Sequence, residues 1–180
     1  MPSVQFLSRM DVQRYKPRAP AHLLSISDGD DDQAIVDASR WQSVEYHHFV
    51  DGDFDEEKIA MFGASFEHLF RDYFLNLQAD RLRESIDRLA ATGVDIVVNC
   101  QAGRSRSAAV AQFISERHRY SLCQEAPGAN QTVLRMLRRD PALLAAYRKT
   151  LSPTAAITGA KVGPIKTLLG YFGRWRRRQS

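Results

Sequence analysis

Val94-Asp95-Ile96-Val97-Val98-Asn99-Cys100-Gln101-Ala102-Gly103-Arg104-Ser105-Arg106-Ser107-Ala108-Ala109-Val110-Ala111-Gln112-Phe113-Ile114 reads as a buried strand, a tight loop with a glycine, and a helix start. A sulfur therefore stands where a strand ends and a helix dipole begins, with an arginine six residues on. Backbone N–H groups at a helix N-terminus point at an anion, and the partial positive charge there favours a thiolate. One loop can thus hold a nucleophile ionised and cradle a phosphate beside it. Arg106 can add a bidentate fork to two phosphate oxygens.

Working outward, strands are predicted over 3–7, 21–27 (ending at the turn signal Asp28-Gly29), 43–50 and 94–99. Ser8-Arg9-Met10-Asp11 resembles a capping box with Asp in the acidic position. Further helices are predicted over 30–39, 56–77, 80–92, 107–120, 131–139 and from Pro141 to about residue 150. In the long segment 56–77, Phe62, Phe66, Leu69, Phe70 and Phe74 recur at helical spacing and are expected in the core. Leu82, Ile86, Leu89 and Ala90 form a second stripe, stopped by Gly93. Alternating strands and helices imply an α/β domain, with a mostly parallel central sheet of about four or five strands flanked by helices. Ligands of such sheets collect at the carboxyl ends of the strands. Cys100 and Asp51 each stand at such an end, so they should share a rim.

Cys100-x5-Arg106 followed by Ser107, framed by a hydrophobic strand and an Ala-rich helix, resembles the signature of cysteine-dependent phosphatases. Cys-Gln-Ala-Gly-Arg-Ser-Arg-Ser-Ala-Ala is most similar to their compact dual-specificity and bacterial or phage tyrosine-phosphatase-like branch. The resemblance spans roughly residues 3–150, is strongest over 94–115 and is faint before residue 40. It implies a metal-independent hydrolysis of phosphomonoesters through a phosphocysteine, with no cofactor. Cys100 would be the nucleophile. The amides of Gln101, Ala102, Gly103, Arg104 and Ser105, with the Arg106 fork, would bind phosphate, and the Ser107 hydroxyl would ease departure of the sulfur. The general acid would be an Asp on a loop ahead of the cysteine. Asp51, Asp53 and Asp55 are the candidates, and Asp51 is favoured because it directly follows the 43–50 strand and its Phe-x-Asp motif resembles the family's acid loop. Gly52 would let that loop move, and Asp55 also suits a helix cap. Arg104 either raises the local potential or is solvated. Asn130 is read as a helix cap. The pattern departs from the family at Asn99, where the family carries a histidine that braces the loop. A phosphotyrosine or mixed phosphoprotein substrate is the expectation. The alternatives are an RNA 5′-phosphatase, a phosphoinositide phosphatase, and a pseudophosphatase that binds phosphorylated ligands without turnover.

The chain has 180 residues, 44% of them hydrophobic, enough for one domain (1–152) and an appendage (153–180). Its net charge of +4 hides an asymmetry: residues 141–180 hold eight Lys and Arg and no acid, leaving the remainder acidic. Residues 151–164 read as a loose linker. Beyond it Ile165, Leu168, Leu169, Phe172 and Trp175 recur at helical spacing among basic residues. A basic amphipathic tail of this kind suits an anionic membrane surface, a protein partner or the domain's own surface. Nucleic acid is less favoured because stacking aromatics are few. Two cysteines make no disulfide framework, and Cys123 is read as inert packing. The N-terminus lacks a signal-peptide core, and no run of eighteen apolar residues occurs. A cytoplasmic protein is expected, with the tail as the element that would make it peripheral to a membrane. The histidines are scattered, with His47 and His48 on opposite faces of one strand, so no metal site is expected. No Walker-type nucleotide loop is present.

Overall fold

The computed structural model describes residues 1–151. Strands β1 (Ser3–Ser8), β2 (Ala21–Ser27), β3 (Ser43–His48), β4 (Asp95–Cys100) and β5 (Ser121–Leu122) form one sheet in the order β3-β2-β4-β1-β5. Every pairing is parallel. The strand that carries Cys100 lies at the centre, with Val98 opposite Phe6 of β1 and Leu24 of β2. The seven α-helices of the described residues are α1 (Arg9–Arg14), α2 (Glu56–Phe62), α3 (Phe66–Leu69), α4 (Asn76–Ala90), α5 (Arg106–His118), α6 (Gln131–Leu137) and α7 (Pro141–Leu151).

Side chains of successive strand residues point to opposite faces. Val4, Phe6, Leu24, Ile26, Ile96 and Val98 accordingly share one face, packed with Leu82, Ile86, Val110, Ile114, Val133 and Leu143 from the helices. Leu23 and Val97 share the other, under Val12 of α1 together with Ala34 and Trp41. Coverage on both faces is what an all-parallel sheet requires.

The segment expected as one helix over 30–39 is instead two single 3-10 turns, Asp30–Asp32 and Ala38–Arg40, with extended chain between them. β2 and β3 are parallel, so this connection must return the length of a strand. Extended chain covers about 3.3 Å per residue against 1.5 Å for a helix. It also alternates, turning Ala34 inward and leaving Ile35 82% exposed.

The helix expected over 56–77 is broken. Gly63, at φ 50° and ψ −132°, ends α2. A 3-10 turn and the short α3 follow, and residues 70–75 leave the helix. The carbonyl of Asp72 accepts the N–H of Val50 at 2.8 Å, which ties this turn to the chain leaving β3. α4 then starts at Asn76, ahead of the expected residue 80. The aromatic stripe is core nonetheless: Phe66 and Phe74 are fully buried, and the Phe49 and Phe74 rings lie 4.3 Å apart. Leu69, 57% exposed, and Phe62, 36%, are its exceptions. A Cβ on Gly52 would lie 2.3 Å from the Tyr73 ring. Gly52 therefore makes room for Tyr73, a role distinct from the expected loop motion.

α5 begins one residue earlier than expected, at Arg106, and ends at His118, where Arg119 takes the left-handed conformation at φ 60°. That turn feeds β5, the fifth strand. The linker and basic tail, 153–180, lie outside the described residues. No helix among the described residues is long and apolar enough to cross a membrane.

Candidate active site

β2, β3 and β4 run parallel, so the segments that follow them meet at one edge of the sheet. Cys100 closes β4 and is buried. Its Sγ lies 3.1 Å from the Ser107 hydroxyl in the first turn of α5. Burial pushes the Cys100 thiol up; the Ser107 hydroxyl, the N–H groups of Ser107 and Gly103, and the Arg106 charge together bring it below an ordinary thiol. The loop thus stabilises the negative form of the sulfur despite its burial.

The loop's shape is fixed from two sides. Gly103 sits at φ 65°, and a Cβ there would lie 2.2 Å from the Ser8 backbone nitrogen. Only glycine permits both the conformation and the approach. Beside it the Arg9 N–H donates to the Gln101 carbonyl at 3.3 Å. On the other side the Ser105 carbonyl accepts from the N–H of Ala109 at 3.0 Å and of Asn130 at 3.2 Å. Ser8 caps α1 as expected, accepting from the Asp11 N–H at 3.1 Å.

Arg106 is 3% exposed. Its Nη1 donates to Asp28 Oδ1 at 2.6 Å and to the Phe49 carbonyl. Nε is buried without a hydrogen-bond partner among the described residues. One end of the guanidinium is therefore anchored, while Nε, part of the fork that can grip an oxyanion, is unused. An unpaired buried donor costs about 1–3 kcal/mol, so a bound oxyanion that accepts from Nε recovers that cost. Asp28 was legible in the sequence only as a turn signal. The carboxyl-end rule that singled out Asp51 applies equally to Asp28, at the end of β2.

Asp51 Oδ1 accepts from the Ser105 hydroxyl at 2.8 Å and from the Asn130 side-chain amide at 2.9 Å. The two expected strand ends thus do share a rim, joined through Ser105. Both donors hold the same oxygen, which leaves Oδ2 as the atom able to carry a proton. Asp53 is placed elsewhere, accepting from the Thr132 hydroxyl at 3.3 Å. Asp55 caps α2, accepting from the Lys58 N–H at 2.8 Å. Asn130 does cap α6, accepting from the Val133 N–H at 2.8 Å, and its amide nitrogen at the same time grips Asp51.

Gln101, Ala102 and Arg104 are exposed at the loop's outer turn. Asn99 is 1% exposed, and its Oδ1 has no hydrogen-bond partner among the described residues. Its cross-strand neighbour Ser25 likewise has a buried hydroxyl without one. Strand alternation puts Asn99 on the face opposite Cys100, so it can influence the sulfur only through the backbone. Cys123 is exposed rather than packed in the core. Among the described residues no group of three or more His, Cys, Asp or Glu side chains could hold a metal ion. No family model matches the chain, and no curated protein matches it.

Proposed function

We propose that the protein is a cysteine-dependent phosphatase that hydrolyses phosphomonoesters, with a phosphorylated protein side chain as substrate. The observation that carries this reading is the pairing of an acidified Cys100 with a buried Arg106 whose Nε is unpaired, in one loop at a helix N-terminus. In the first step the Cys100 thiolate attacks phosphorus and a sulfur–phosphorus bond forms. The ester phosphorus–oxygen bond breaks, and Asp51 passes the proton from Oδ2 to the leaving oxygen. Loop N–H groups and the Arg106 fork hold the equatorial oxygens as their charge shifts. In the second step water attacks phosphorus and gives its proton back to Asp51. The sulfur leaves as a thiolate, stabilised by the Ser107 hydroxyl, and inorganic phosphate is released. Arginine and backbone amides supply the charge stabilisation that metal ions supply in other phosphatases. A thiolate nucleophile needs a reducing setting, which favours the cytoplasm.

A second reading, a binder of phosphorylated ligands without turnover, is favoured by Asn99, which stands where the resembled family carries histidine and whose buried oxygen has no partner among the described residues. One assay separates the two. The purified full chain should hydrolyse a series of aryl phosphates in the presence of chelator, with inhibition by vanadate. Asp51→Asn should slow esters of poor leaving groups more than activated ones, since general acid catalysis is worth about 10²–10⁴-fold and a good leaving group needs less of it. Binding of vanadate without turnover would favour the second reading, and equal losses across the series would remove Asp51 from the acid's role.

A further inference from the structure

A groove of about 760 Å³ opens beside the loop, between α2 and the turn leading into α6. Ser105 and Asn130, the two side chains that hold Asp51, line it together with Met61 and Phe62 of α2. Met61 is 77% exposed and Phe62 36%. Met61 and the outer side of Phe62, whose ring packs edge-on against Phe70, give the groove an apolar stretch. The groove is therefore continuous with the site.

Its charge is one-sided. Asp53, Asp55 and Glu57 line it, and none of the three forms an ion pair among the described residues. The two cations in the lining are committed. Lys58 Nζ donates to the Asp53 carbonyl at 2.9 Å and lies over the Phe70 and Tyr73 rings. Arg135 is held by Glu56 and Asp140. On the β2 side of the loop stand Asp28, Asp30, Asp31 and Asp32, of which Asp28 is paired with Arg106, Asp32 with Arg9, and Asp30 lies 3.3 Å from the His48 ring. A phosphate loop that must attract a dianion is thus set in an acidic surround. A ligand negative throughout, such as a polynucleotide or an anionic lipid surface, meets the unpaired Asp53, Asp55 and Glu57 carboxylates in this groove.

We propose that the groove is a subsite for Arg or Lys side chains flanking the phosphorylated residue, so that the substrate is a phosphoprotein segment of basic composition. This rests on the phosphate-site assignment made above. Long cationic side chains suit such a lining, because their methylene stems cover apolar surface while the head group reaches carboxylates. Here the stem would lie along Met61 and Phe62 and the head would meet Glu57 and Asp53. The phosphate, one residue or so away, would sit in the Cys100 loop.

The test is equilibrium binding of labelled phosphotyrosine peptides to the full-length Cys100→Ser protein, which reads affinity whether or not the wild type turns substrate over. The peptides differ only in carrying Arg or Glu at the flanking positions. The Arg-flanked peptide should bind about tenfold tighter at low salt, the product of a few exposed ion pairs gained and like-charge contacts avoided. Added salt should shrink the ratio, and Glu57→Arg should bring it towards unity. Equal affinities, tighter binding of the Glu-flanked peptide, or preference for a 5′-phosphorylated RNA oligonucleotide would overturn the subsite while leaving the phosphate site standing. Failure of every phosphorylated ligand to bind would remove the phosphate site and the subsite with it.

Discussion

Asp28 and Asp51 bear the same carboxylate on the same rim, and the structure gives them opposite tasks. Asp28 accepts from Arg106 Nη1 at 2.6 Å and keeps the guanidinium anchored, whereas Asp51 is itself held by Ser105 and Asn130. Charge-assisted hydrogen bonds of this kind contribute about 1.5–3 kcal/mol. Asp28→Asn should therefore weaken vanadate inhibition by roughly tenfold or more, with partial recovery in Asp28→Glu. If Asp28→Asn bound vanadate as tightly as the wild type, the anchor would be irrelevant to the fork. Cys100, Arg106 and Ser107 were legible in the sequence because covalent spacing alone confines them to one loop. Asp28 was not, because its meeting with Arg106 depends on β2 pairing with β4, a contact between segments about seventy residues apart. Asn130 was legible only in part. Its capping oxygen follows from local chain geometry, whereas the grip of its amide on Asp51 depends on how distant elements pack.

At the scale of elements, the loop is shaped less by its own residues than by what presses on it. Gly103 lies against the start of α1, where a Cβ would come within 2.7 Å of the Ser8 Cα and closer to its nitrogen. Gly103→Ala combines that clash with a positive φ of 65°, so it should destabilise the fold by about 1–3 kcal/mol. Urea unfolding measures that loss, and vanadate affinity should fall with it because the amides would be displaced. A Gly103→Ala protein of unchanged stability and affinity would show that the junction yields easily. The same dependence on neighbours explains which elements could be read from sequence. β2 was legible to the residue, since a largely apolar stretch that ends at the turn signal Asp28-Gly29 marks its own bounds. The 56–77 segment was not: its aromatic spacing fits a helix. Only the Val50–Asp72 bond and the fit of Tyr73 over Gly52 show why the chain must turn there.

For the whole molecule, the parallel order β3-β2-β4-β1-β5 puts the Cys100 strand in the middle and brings Asp28 and Asp51 to it from strands on the same side. The α/β class followed from the alternation of segments, while the strand order and the fifth strand required the three-dimensional structure. The charge distribution gives the architecture a direction: a cationic, amide-lined loop inside an acidic rim, on a chain whose excess of Lys and Arg lies towards its C-terminal end. The proposed hydrolysis turns on a covalent bond between Cys100 and phosphorus. The most direct measurement is rapid acid quenching of the full chain during turnover of an aryl phosphate, followed by peptide mass spectrometry. The account predicts one phosphoryl group on the peptide containing Cys100, formed in a burst together with the released phenol and absent in Cys100→Ser. Phosphate release without a phosphorylated Cys100, or with the group on another residue, would contradict it.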